Sequence, residues 1–381
     1  MPCMIPSWTE SNKVIESSLD EILSGLIGFN SHLIPPMTAK FTQPLWPLPV
    51  ATLLVLVSLY GGGISLSHAN SAVVDDCSVA AGQLTRNWPN TDFSRCTVDP
   101  GEVVSGGPGK DGIPSIDEPR FVPATKVTLD DREPVITLVL GDTAKAYPLR
   151  VLTWHEIVND TMGDIPVAVT YCPLCNAAIV FDRRVGNKVL DFGTTGSLRH
   201  SDLLMYDRLS QSWWQQYTGQ AIFGEFAGAA LTMLPSRLES FLDFKNNYPQ
   251  GEVLVPGNPN LRPYGANPYV GYDSSSFPFL YRGEVPEGIG PLERVVVVDD
   301  RAWSLALLRQ DKQIRDRNLV LTWRPGQASA LDTREIKNGR EVGSVTAQHL
   351  AANGALEDVV YHVTFAFVFH AFKPDQPIIV E

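Results

Sequence analysis

Short apolar runs recur along the chain from about residue 113 onward, and their pattern sets the fold class. VITLVL, VAVTY, AAIVFD, KVLDF, LLMYD, AALTML, RVVVVD, NLVLTW and VTFAFVF are rich in β-branched and aromatic residues and are bounded by turn formers, as strands are. Helix-like spacing is confined mainly to RVLTWHEIV and PSRLESFLDFKNN. The pattern predicts a mainly β protein with short helices (α+β). Residues 99–120, DPGEVVSGGPGKDGIPSIDEPR, are dominated by glycine and proline and read as loop.

The same pattern returns later in the chain. AYPLRVLTWHEIVND, residues 146–160, aligns without a gap on AWSLALLRQDKQIRD, residues 302–316. VTY at 169–171 then meets LTW at 321–323, FDR at 181–183 meets LDT at 331–333, and Gly193 meets Gly343. Two related β-rich repeats, near 133–196 and 292–346, are therefore expected to pack as one body over 113–381. Opposite CPLCNAAIVF stands RPGQASAL, with Arg324 in place of Cys172, and opposite His155 stands Asp311. Cysteines and a histidine present in one repeat only point to a function added to the scaffold.

Composition narrows the classes. The chain has 381 residues, 44% hydrophobic and 19% charged, with a formal net charge of −12, so it is globular and repels polyanions; nucleic acid is excluded as a partner. LWPLPVATLLVLVSLYGGGISL, residues 45–66, followed by SHANSA, reads as a signal peptide over 37–72 cleaved after Ala69 or Ala72, with Met37 as the true start and 1–36 a mis-called leader. Export to the periplasm or the exterior follows, the alternative being an uncleaved segment that anchors the chain; only through it would a membrane be a partner. Cys3 falls in the leader. In an oxidising compartment Cys77 and Cys96 are expected to form a disulfide that staples an N-terminal segment and linker, 73–112.

That leaves Cys172-Pro173-Leu174-Cys175, placed between two strands. Two thiolates at this spacing on a tight turn suit a transition metal, copper or zinc. No second CxxC and no HExxH is present, so other ligands must come from a distance. His155 is the candidate third ligand, the alternative being a buried histidine hydrogen-bonded to backbone; on a helix it would share a face with Val151, Trp154 and Val158. His200 is a further candidate, and Glu156, Asn159, Asp160 and Asp202 are candidate partners of the ligands. Met205 in LLMYD and His370 in FAFVFHAFKP are outside possibilities. Two other readings stand beside metal binding: a thiol–disulfide oxidoreductase using the cysteine pair, and an interaction module whose Trp213 and Trp214 form a surface. The first asks for a helix after the pair, where NAAIVFD reads as strand.

AYPLRVLTWHEIVND, VTYCPLCNAAIVFDR, SDLLMYDR, SWWQQYTGQAIFGE and FHAFKPD together resemble the prokaryotic family catalogued as domain of unknown function 3179, over residues 111–381. The resemblance assigns no activity. It implies that His155, Asn159, Asp160, Cys172 and Cys175 form one hallmark motif and Ser201, Asp202, Tyr206, Asp207 and Arg208 a second. The chain departs from the pattern at Asn176, where glycine is usual, and at His200, where asparagine is expected; the latter weakens a general ligand role for His200.

Overall fold

The run from Val135 to Leu140 forms an interior strand of a five-stranded sheet in the computed structural model, which describes Cys77 and residues 81–381. The expected leader, signal peptide and cleavage positions lie outside the described residues. Among the described residues no helix is long and apolar enough to cross a membrane.

In chain order, α1 (Ala81–Asn87) leads to β1 (Val103–Ser105) and β2 (Arg120–Pro123). A hairpin of β3 (Pro134–Leu140) and β4 (Thr143–Pro148) feeds α2 (Leu149–His155). A meander follows: β5 (Ile157–Met162), β6 (Ile165–Cys172) and β7 (Ala177–Asp182). A small hairpin, β8 (Arg184–Val185) and β9 (Lys188–Val189), opens residues 183–231. The rest of that segment builds a further sheet from β10 (Phe192–Arg199), β11 (Asp202–Asp207), β12 (Trp213–Gln215) and β13 (Ala221–Phe223), with β1 at its edge. Then β14 (Thr232–Leu234) joins β7, β15 (Ser236–Ser240) joins β3, and α3 (Phe241–Asn247) leads to β16 (Glu252–Val255), which lies parallel to β4.

From residue 294 the order recurs. A hairpin of β17 (Arg294–Val298) and β18 (Arg301–Ser304) feeds α4 (Leu305–Asp311). The meander is β19 (Gln313–Asp316), β20 (Leu319–Arg324), β21 (Ser344–Leu350) and β22 (Leu356–Asp358). Finally β23 (His362–Phe365) joins β17, and α5 (Ala366–Phe372) leads to β24 (Ile378–Ile379), parallel to β18. The strand order β15-β3-β4-β16 in the first region therefore matches β23-β17-β18-β24 in the second, and β5-β6-β7-β14 matches β19-β20-β21-β22. The pattern covers 134–255 and 294–379, wider than the alignment suggested.

Several expectations are corrected. FDR and LDT are not equivalent: Ala177 opens the strand after Cys172, whereas Ser344 pairs with Arg324, so LDT lies in the long connection 325–343. SRLES is strand, and the helix begins only after Ser240, whose hydroxyl caps the Asp243 N–H. VTFAFVF is strand only to Phe365; a run apolar at nearly every position cannot reveal by period that its second half is helical. Val158 belongs to β5 and not to the helix of His155. The glycine-rich stretch is not all loop, because Val103–Ser105 pairs along the free edge of β10.

One core joins the regions. Ile136, Val169, Phe181, Phe365 and Phe367 all belong to it and are buried. A separate cluster around Trp88, Phe93, Trp213 and Phe223 encloses the Cys77–Cys96 disulfide. Trp213 and Trp214 are 0% exposed and belong to the core, which counts against the alternative in which they form an interaction surface; Trp214 Nε1 donates to Asp207 Oδ2 at 3.0 Å.

Candidate metal centre

Cys172 ends β6, and Pro173 begins a single 3₁₀ turn, Pro173–Cys175, that reverses the chain into β7. Asn176 closes the turn in the left-handed region, φ 50° and ψ 30°, with its N–H donating to the Pro173 carbonyl at 3.2 Å. Asparagine tolerates that conformation better than most residues, so it serves here where glycine is usual. The turn is fixed from outside as well. Tyr272 donates through its hydroxyl to the Leu174 carbonyl at 3.0 Å, and Thr364 of β23 donates to the Cys175 carbonyl at 2.8 Å.

The turn presents both sulfurs to one side, where the β10–β11 hairpin meets them. Cys172 Sγ lies 3.7 Å and Cys175 Sγ 3.5 Å from the Ser201 carbonyl, and Cys175 Sγ is 3.3 Å from Asp202 Oδ1. His200 and Ser201 occupy the two central positions of that hairpin with φ 54° and 62°, and Arg199 pairs with Asp202 across it. Positive φ at both positions is the requirement of a type I′ turn, which favours asparagine first. The expected asparagine at His200 is thus a turn residue. The other oxygen of Asp202 accepts from Gln215 Nε2 at 2.6 Å and from the Tyr217 N–H at 2.8 Å, which locks the carboxylate in place.

Cys172, Cys175 and Asp202 form one group whose ligand atoms lie within 4.8 Å of one another, all buried. Both cysteines are free thiols. Burial pushes both thiols up, Cys175 well above the usual range. Burial likewise raises Asp202 to about 6, with the Gln215 and Tyr217 hydrogen bonds opposing it. Glu156 stands beside the turn through its backbone, its carbonyl accepting from the Tyr171 N–H at 2.8 Å. Burial first, and then the Asp202 charge, raises its carboxyl to about 8. Asp202 was expected to be a supporting partner and instead stands among the ligand atoms.

The histidines are elsewhere. His155 accepts at Nε2 from the Tyr264 hydroxyl at 2.8 Å and donates from Nδ1 to the Pro114 carbonyl at 2.7 Å, the tautomer that tyrosine and carbonyl together favour. Its ring stacks on Tyr264 at 5.8 Å, and it is absent from the group around the sulfurs. The expected third ligand is therefore the buried, backbone-bonded histidine of the alternative reading. His200 points away, its Nε2 3.4 Å from Glu102 Oε2 and its ring edge-on to Phe372. Asn159 and Asp160 do not support a ligand either. Asn159 bridges Asp117 and the backbone of Phe192, tying β5 to β10, and Asp160 receives Lys145 Nζ and the Tyr147 hydroxyl, each at 2.7 Å. Met205 is buried in the core.

Sequence reasoning overlooked the Ser201 carbonyl and the roles of Gln215 and Tyr217. The usable signal was the position of SD at a hairpin tip, followed by the polar QQ inside the apolar run SWWQQY.

A mainly β body in which one hairpin turn brings two thiols against a carboxylate from another hairpin defines the protein by class. The chain belongs to the family described as "Protein of unknown function (DUF3179)", whose model matches residues 110–376. No curated protein and no solved structure matches it.

Proposed function

We propose that this is an exported protein that binds a transition metal, copper or zinc, through Cys172, Cys175 and Asp202. The observation that carries the reading is the convergence of three buried ligand atoms within 4.8 Å. Burying ionisable groups this close is costly unless a proton or a cation compensates them, and two thiolates with a carboxylate are a metal's ligands. The long-range anchoring of the turn by Tyr272 and Thr364 fits a site whose geometry must be held. Reconstitution under reducing conditions, followed by element analysis, tests it. About one metal per chain is expected in the wild type and almost none in Cys172→Ser/Cys175→Ser; equally low metal in both would falsify the reading.

The oxidoreductase alternative gains no support from a pair that is 2% and 0% exposed, with thiols pushed upward and a strand following. An exchanging thiol needs access and thiolate character. Rapid labelling of both cysteines in the folded, metal-free protein would reverse that preference.

We further infer that regions 134–255 and 294–379 are related repeats, which their common strand order supports. Export is supported by the Cys77–Cys96 disulfide together with the apolar run that the sequence carries at 45–66. N-terminal sequencing of the mature protein should begin near residue 70 or 73.

A further inference from the structure

The two regions share a backbone feature whose side chain differs. Helix α2 ends at Glu156, φ 58° and ψ −34°, and α4 ends at Lys312, φ 64° and ψ −34°. In each case the N–H donates to the helix, at 2.7 Å to Leu152 and 2.8 Å to Leu308, and the carbonyl accepts from the meander, from Tyr171 at 2.8 Å and from Trp323 at 2.9 Å. Positive φ is costly for either residue, so the strained corner belongs to the fold. What the corner carries is not fixed by it. Lys312 is exposed, with Nζ 4.3 Å from the centre of the Trp323 ring.

Glu156 turns inward and is 7% exposed. Among the described residues its carboxyl has neither a hydrogen-bond donor nor a cation paired with it. Its backbone carbonyl accepts from the N–H of Tyr171, the residue before Cys172, so the corner stands beside the cysteine turn, while its carboxyl lies outside the group whose ligand atoms lie within 4.8 Å of one another. A carboxyl with no donor on a residue this little exposed is poorly compensated, while the same backbone corner elsewhere in this chain holds a side chain in solvent. Resting on the metal-binding reading, we propose that Glu156 is the fourth protein ligand, closing a Cys172, Cys175, Asp202, Glu156 site for zinc(II). Four protein ligands suit tetrahedral zinc, and two hard carboxylates beside two thiolates disfavour copper(I), which prefers sulfur alone. With this set no position is left for water.

The test compares wild type, Glu156→Gln, Glu156→Asp and Lys312→Gln, reduced and metal-free, titrated with zinc against a chromophoric chelator and with cobalt(II) as an optical probe. Wild type and Lys312→Gln should bind one ion alike and give the intense visible bands of tetrahedral cobalt. Glu156→Gln should keep the stoichiometry but bind zinc at least tenfold more weakly and show altered cobalt bands, with Glu156→Asp between them. A Glu156→Gln protein with unchanged zinc affinity and cobalt spectrum overturns the ligand role while leaving the three-ligand site intact. Absence of metal from wild type overturns the underlying reading, and this one with it. Should Glu156→Gln fail to fold, Glu156→Asp decides: full affinity with a side chain one methylene shorter overturns the proposal.

Discussion

Residues 134–255 and 294–379 run through the same strand order, yet among the described residues only the first presents two thiols to a carboxylate. The two differ in the connections between their shared strands. Between the third and fourth strands of the meander the second region needs only the link 351–355, whereas the first carries 183–231, with the sheet that supplies Ser201 and Asp202. Between the second and third strands the relation is reversed. The first region turns tightly through the two cysteines, and the second takes the long connection 325–343. The turn alone would be a pair of thiols; the inserted sheet makes it a candidate ligand set. The second region still contributes, since at the register where β15 places Glu239 opposite Val135, β23 places Thr364 opposite Val295, and Thr364 holds the Cys175 carbonyl.

The largest effect should come from Asp202. Asp202→Ala leaves Gln215 Nε2 and the Tyr217 N–H buried without an acceptor and should cost about 3 kcal/mol in chemical unfolding of the metal-free protein. Asp202→Asn keeps an acceptor for these donors and should cost well under half of that, although metal binding falls in both. Asn353→Ala, in the short link of the second region, should stay within about 0.5 kcal/mol. Equal losses for Asp202→Ala and Asp202→Asn would show that the inserted sheet does not depend on this acceptor.

Much of this architecture can be read from the residues. The β-branched runs at 135–140, 167–171 and 294–298 could hardly be anything else, and the CPLC turn between strands was visible from its flanks. The strand order common to both regions outlasts the sequence match, because pairing depends on apolar pattern more than on identity. The Asp202 contact could not be read in the same way. It joins the tips of two hairpins from different sheets, and nothing in SDLLMYD says which turn it will face. Glu156 was hidden by a boundary. HEIV reads as continuous helix, but the chain leaves the helix at Glu156 with positive φ and turns there into β5.

A pH profile sharpens the contrast at the register position shared by Glu239 and Thr364. Burial raises the Glu239 carboxyl from 4.5 to about 7, against the opposing hydrogen bond from Thr137 and the charge of Arg237. Because the folded state holds this proton more tightly than the unfolded chain does, the associated stability is fully present below about pH 4.5. It is lost as pH rises to about 7, by up to about 3 kcal/mol for a group that is 2% exposed. Glu239→Gln should flatten that part of the stability profile, measured by denaturant midpoint at several pH values. Thr364→Val has no titrating group to remove and should shift the whole profile nearly evenly, by about 1 kcal/mol for one buried hydrogen bond. An unchanged slope in Glu239→Gln would place the pH dependence elsewhere.

The smallest effect separates turn chemistry from ligand chemistry at His200. The residue has φ 54° at the first central position of the β10–β11 turn, and its imidazole faces Glu102 and Phe372. Asparagine supplies the same backbone more readily and gives up only a partly exposed contact with Glu102, an interaction worth little. His200→Asn should therefore leave stability within about 0.5 kcal/mol of wild type and leave metal stoichiometry and affinity unchanged. A ligand would behave differently: removing its nitrogen would weaken metal binding, whatever the turn gained. Because the substitution preserves the hairpin that presents Ser201 and Asp202, a loss of metal in a stably folded His200→Asn protein could come only from the imidazole itself. That outcome would return His200 to the ligand set and require the hairpin tip to rearrange around the ion.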